Sequence, residues 1–247
     1  VANAVAVTER EVTITTPDVT CDAYFAAPSA GAAPGVLVWP DVFGLRPAFR
    51  QMGRRLAESG YSVLVVNPFY RQKKAPTAAQ GAQTPFAEVM PMMQALTPAM
   101  HLADGKAFVT WLDAQPEVDK ARKIGTTGYC MGGPIAVRTA SVAPGRVGAV
   151  ASFHGAAMVT AAPDSPHRLV AQTQARYVVA VAENDDAKDA EAKVALRTAF
   201  ANAKLAAEVE VYPAAHGWCP PDTTVYNAAQ SERAWTRLLA TLSAGLA

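Results

Sequence analysis

Three short, unbroken apolar runs constrain the fold most: Gly35–Trp39 (GVLVW), Ser62–Val66 (SVLVV) and Tyr177–Ala182 (YVVAVA). A strand with water on one face alternates polar and apolar residues, whereas a strand buried on both faces of a parallel sheet reads as a continuous apolar run. Lys123–Thr127, Val147–Phe153 and Val209–Tyr212 add further strands, and the alternating segments Val12–Thr16 and Thr20–Ala26 read as an edge hairpin turning at Pro17-Asp18. Helix-length segments fill the gaps. Pro47–Ser59 sets Phe49, Met52 and Leu56 on one face and stops at Gly60. Thr97-Pro98 supplies an N-cap and a first-turn proline for a helix to about Gln115. Pro134–Ala143, Asp189–Ala203 and Val225–Leu242 read as the remaining helices. Such alternation predicts one α/β domain over residues 1–247, a mainly parallel sheet of about eight strands with helices on both faces.

Composition narrows the function classes. The chain is 51% hydrophobic and 17% charged with a formal net charge of +1, and no basic run is longer than the Lys73-Lys74 pair, so no nucleic-acid footprint is expected. Gly, Pro or a charge interrupts every apolar stretch before it could cross a membrane. Cys21, Cys130 and Cys219 are too scattered for a disulfide framework or a zinc site, and an odd count fits a reducing compartment. The N-terminal Ala/Val stretch carries no basic region and does not read as an intact signal peptide. Two Pro-containing segments break the pattern: 71–96, expected to be a cap or substrate loop after a strand end, and 156–175.

Chemistry concentrates around Gly128-Tyr129-Cys130-Met131-Gly132-Gly133, which joins a strand to a helix. Glycines around a reactive residue at such a junction describe a nucleophile elbow, a turn too tight for flanking side chains. A nucleophile needs a base, and the base needs an acid to orient it. Glu183-Asn184-Asp185-Asp186 follows one strand and Ala215-His216-Gly217 the last, so Cys130, Asp185 and His216 arrive in the order nucleophile, acid, histidine. Asp186 and Glu183 compete with Asp185; Asp186 could instead cap the next helix. The Met131 amide and the Val42 amide, from the loop Pro40–Arg46, are the expected oxyanion donors. The helix N-terminus is expected to favour the Cys130 thiolate. Cys21 and Cys219 read as structural, Cys219 lying near the pocket; His101 and His167 read as surface residues. His154 ends a strand on the catalytic rim and is a weaker substrate-contact candidate. A dinucleotide reading fails because G-x-G-x-x-G is absent.

Together with Trp39-Pro40-Asp41-Val42-Phe43-Gly44, Asn67-Pro68-Phe69-Tyr70-Arg71, Asn184-Asp185 and Ala215-His216-Gly217, the elbow closely resembles the dienelactone hydrolase family of α/β-hydrolases. The resemblance implies a Cys-His-Asp hydrolase that cleaves an ester or enol-lactone of a small molecule through a thioester acyl-enzyme. It also implies a cytoplasmic protein, a monomer or small homo-oligomer, that needs no metal or organic cofactor. Asp41 matches a family carboxylate that stands against the resting thiol, where the best-known members have Glu; it either helps deprotonate Cys130 or holds its loop through backbone N–H groups. Arginines in the cap and after the histidine bind the substrate carboxylate in dienelactone-cleaving members. Here Gly217, Trp218, Cys219 and Pro220 follow His216, and Phe86–Leu96 has no arginine. Arg71 remains as an anion contact, Arg46 and Arg50 less so, and Phe43, Tyr129, Trp218 and His154 complete the substrate-binding candidates. Acyl transfer or thioester hydrolysis at the same site, or a binding protein with a dormant site, are the competing expectations.

Overall fold

The computed structural model describes residues 5–247; the first four residues, part of the stretch read as lacking a leader, lie outside them. Eight strands form one sheet: β1 (Val7–Thr15), β2 (Thr20–Pro28), β3 (Gly35–Trp39), β4 (Ser62–Val66), β5 (Ile124–Tyr129), β6 (Val147–Phe153), β7 (Arg176–Ala182) and β8 (Ala207–Tyr212). Their order is β1-β2-β4-β3-β5-β6-β7-β8. The β1–β2 and β2–β4 pairings are antiparallel, and β4 through β8 run parallel. Every residue of β3, β4, β5 and β6 is buried, which is why these strands lack alternation.

The eight helices are α1 (Pro47–Glu58), α2 (Phe86–Gln94), α3 (Pro98–Ala114), α4 (Gly132–Val142), α5 (Pro166–Leu169), α6 (Glu183–Asp186), α7 (Ala190–Asn202) and α8 (Ala228–Gly245). On one face Phe108, Leu112, Ile135 and Phe200 from α3, α4 and α7 join the core; on the other, Phe49, Leu56, Leu238 and Leu242 from α1 and α8 do so. Burying such side chains contributes about 1.5–3 kcal/mol each before the entropy of ordering them is subtracted. Thr97 caps α3 by accepting the Met100 N–H at 3.2 Å.

Three boundaries differ from expectation. β1 begins at Val7, earlier than the expected Val12, because Glu9, Arg10 and Glu11 sit on an edge strand and pair outward with Arg54, Glu117 and Arg50. The last helix starts at Ala228 because the Asn227 side chain accepts the Gln230 N–H at 3.1 Å. Segment 71–96 is partly ordered: it holds a 3₁₀ turn, Gly81–Gln83, and α2, whose internal Pro91 weakens helical periodicity in the sequence.

Candidate active site

Cys130 sits directly after β5 with φ 53°, a left-handed conformation rare for a residue with a Cβ. The close approach of the two limbs of the turn imposes it. A Cβ on Gly128 would lie 1.9 Å from the Gly132 carbonyl oxygen, and one on Gly132 would lie 2.2 Å from the Trp39 carbonyl oxygen. Only glycine fits there. The Cys130 N–H is shared between the Phe153 carbonyl and Nδ1 of His154, each at 3.1 Å.

His216 follows β8. Its backbone N–H donates to Asn184 Oδ1 at 2.8 Å, and its Nδ1 meets Asp185 Oδ2 at 2.5 Å. Asp185, in the single turn α6 after β7, is therefore the carboxylate brought to the histidine. Asp186 turns away and pairs with Lys193 at 2.6 Å, and Glu183 is exposed. Cys130 and His216 line one cavity of about 410 Å³, within the range of small-molecule sites. Val42, Phe43, Phe86, Met93 and Val225 supply its apolar wall, so segment 71–96 does contribute to it.

The thiol corrects one expectation. The amides of Met131 and Val42 both act on the Cys130 sulfur and favour its thiolate, as a helix N-terminus should. Burial, with the Asp41 carboxylate beside it, outweighs them and pushes the thiol up to about 12. Cys130 rests as a neutral thiol. Inactivation by iodoacetamide is accordingly expected to be slow at pH 7 and to accelerate about tenfold per pH unit to beyond pH 10. Timed loss of esterase activity across that range checks this, and a plateau below pH 8 contradicts it.

Asp41 lies at the base of the loop after β3, 3% exposed. Its Oδ1 accepts the Phe43 N–H at 2.9 Å and an Arg46 N–H at 2.6 Å, while its Oδ2 accepts a second Arg46 N–H at 3.0 Å. Of the two roles considered, holding the loop matches these contacts; its effect on the thiol is through charge. Burial pushes the Asp41 carboxyl up, opposed by Arg46 and the Phe43 amide.

Four of the expected substrate contacts lie off the cavity wall. Arg71 is spent on Asp104, in a two-pronged pair at 2.7 and 2.8 Å, and on Asp18 at 2.6 Å. Tyr129 packs beneath the elbow, stacked on Phe153 with ring centres 5.4 Å apart. Trp218 is fully buried on Tyr212. His154 is also fully buried, its ring 5.1 Å from that of His216 and edge-on to Trp218, and burial holds it neutral. None of these four lines the cavity. Cys219 is buried beside Tyr129 and Phe153, and Cys21 is buried in β2. His101 also departs from expectation: both ring nitrogens are buried, and burial with nearby Arg138 pushes it down to about 4.

Sequence reasoning missed Asp222, which pairs with Arg46 through two contacts at 2.7 and 2.9 Å across 176 residues. No local spacing announces such a partner. Among the described residues no helix is long and apolar enough to cross a membrane.

Comparison with known proteins adds three likenesses and a family. The profile of the "Dienelactone hydrolase family" matches residues 21–246. A Salmonella typhi protein named "Putative carboxymethylenebutenolidase" is 27% identical over 226 residues, covering 88% of this chain and 80% of its own. A Synechocystis protein of the same name is 27% identical over 234 residues, covering 92% of this chain and 93% of its own. Among solved structures, a dienelactone hydrolase-like promiscuous phosphotriesterase from metagenomic libraries superposes with a TM-score of 0.82 at 24% identity. That superposition covers 98% of this chain and all of the other, and it shows a shared fold.

Proposed function

This chain belongs to the dienelactone hydrolase family and is a dienelactone hydrolase-like hydrolase, and we propose that it cleaves carboxylic ester or lactone bonds through a thioester on Cys130. One observation carries the proposal: a strained elbow cysteine and a histidine oriented by a carboxylate open onto the same apolar cavity.

In this mechanism the ester carbonyl enters the cavity and Cys130 Sγ attacks its carbon while His216 Nε2 takes the thiol proton. Asp185, on the opposite ring nitrogen, fixes the tautomer and stabilises the imidazolium. Moving from thiol to attacking sulfur frees the Val42 and Met131 amides, which then receive the carbonyl oxygen as it becomes an oxyanion. Collapse of the tetrahedral adduct breaks the C–O bond, and the leaving oxygen takes the proton from His216. Water, deprotonated by His216, then attacks the thioester, releasing the acid and restoring the thiol. Because the resting thiol is neutral, His216 acts as a true base at the moment of attack rather than as half of a preformed ion pair.

Mass spectrometry of protein quenched in acid within milliseconds of mixing with p-nitrophenyl butyrate tests this. A butyryl adduct is expected on the peptide carrying Cys130, with a matching burst of p-nitrophenol; turnover without any adduct at that residue overturns the mechanism. Asp185→Asn, which keeps the contact but misorients the histidine tautomer, should lower kcat about 10³–10⁴-fold with little change in KM.

A further inference from the structure

We propose that the acyl group accepted by this site is uncharged and apolar, and that a carboxylate beside the scissile carbonyl is selected against. This rests on the ester-hydrolase reading above and adds a substrate class to it. The argument starts from the arginines. A buried carboxylate needs a cation or several N–H donors to replace its water. Arg46 is the arginine nearest the catalytic loop in sequence, and its five N–H donors are all committed: Nε and one Nη2 hydrogen to Asp222, one Nη1 and the second Nη2 hydrogen to Asp41, and the last Nη1 hydrogen to the Gly44 carbonyl at 3.2 Å. Its guanidinium also packs between the rings of Phe43 and Phe49, 5.5 and 4.9 Å from their centres. Nothing remains on it to offer a ligand. Arg71 is committed to Asp18 and Asp104, and Arg50 to Glu11.

Among the described residues the cavity wall carries no Lys or Arg. Phe43, Phe86, Met93 and Val225 line it together with Cys130, and Asp41 lines it as well. A carboxylate brought in with the substrate would lose its hydration and find no free cation, because the Arg46 guanidinium is already taken by Asp41 and Asp222. An alkyl or aryl acyl chain would instead cover apolar surface already shaped to receive it. The Thr223 hydroxyl donates to the Gly217 carbonyl at 2.8 Å, and although Thr224 also lines the cavity, one neutral hydroxyl does not replace the water around a carboxylate.

The experiment compares p-nitrophenyl butyrate with p-nitrophenyl hemisuccinate, which share a leaving group and chain length and differ by a terminal carboxylate. The expected result is a kcat/KM at least about 100-fold higher for the butyrate, the scale on which an apolar pocket without a partner rejects a charge. Phe86→Arg places a guanidinium on the wall at a half-exposed position, 50% accessible, that tolerates it without repacking. It should shift the ratio toward hemisuccinate by tenfold or more. Comparable rates for the two esters in the parent protein, or a preference for hemisuccinate, overturn the inference while leaving the hydrolase reading intact. Hydrolysis of neither ester, nor of an enol-lactone, overturns both.

Discussion

Replacing Cys130 by Ala is expected to lower kcat/KM for p-nitrophenyl butyrate by about 10⁴-fold or more, a loss of about 5 kcal/mol of transition-state stabilisation. The size follows from what the cavity contains. His216 and Asp41 are the other ionisable groups on its wall. One is held by Asp185 and is the proposed base, and the other is enclosed by Arg46 and the Phe43 amide, so neither replaces a nucleophile. The backbone constraint is unaffected, because alanine and cysteine pay the same penalty for φ 53° and the neighbouring glycines still close the turn. The melting temperature should therefore stay within a few degrees of the parent, separating lost chemistry from lost fold. Cys130→Ser should fall between the two, since a hydroxyl needs more help from His216 than a thiol does. Steady-state assays with purified variants decide it: an alanine variant within tenfold of the parent removes the thioester from the mechanism.

How much of this was legible in the chain differs between sheet and site. GVLVW and SVLVV coincide with β3 and β4 because burial on both faces leaves one kind of residue at every position. The edge strand was read short because its charged residues look like loop until their partners, Arg54, Glu117 and Arg50, are placed beside them. Within the site, chain order brought Cys130, Asp185 and His216 to one rim, since parallel strands all end there. The sign of the thiol's shift was not legible. A helix N-terminus can be read from sequence, but the burial that outweighs it cannot. The orientation of Arg71 and Trp218 is hidden for a related reason: a motif position says which loop a residue occupies and not which way its side chain leaves. In the Asp41–Arg46–Asp222 triad the first pair is local, but Asp222 reaches Arg46 across 176 residues, and no periodicity encodes that.

That triad carries the second large effect, on stability. Arg46→Met keeps the bulk between Phe43 and Phe49 but leaves the Asp41 carboxylate buried without its cation, which should cost about 3–5 kcal/mol at neutral pH. Asp222 adds little to the penalty, because its side chain is 34% exposed and water can replace the arginine. The cost should also depend on pH in a defined direction. Losing Arg46 removes the main influence that holds the buried Asp41 carboxyl down, so its folded-state pKa rises further above the unfolded value. A carboxyl raised in the folded state binds more protons there than in the unfolded chain, so stability falls as pH rises through the interval between the two values. The variant should thus be less destabilised at pH 5 than at pH 8. Adding Asp41→Asn removes the charge that cannot be paired, and the double variant should recover part of the loss and show a smaller pH dependence than Arg46→Met alone. Urea unfolding of the parent, both single variants and the double variant at the two pH values measures the coupling directly. If Arg46→Met costs no more than an exposed ion pair, under about 1 kcal/mol, or is equally destabilising at pH 5 and pH 8, the triad does not anchor the loop that carries Val42 and Phe43.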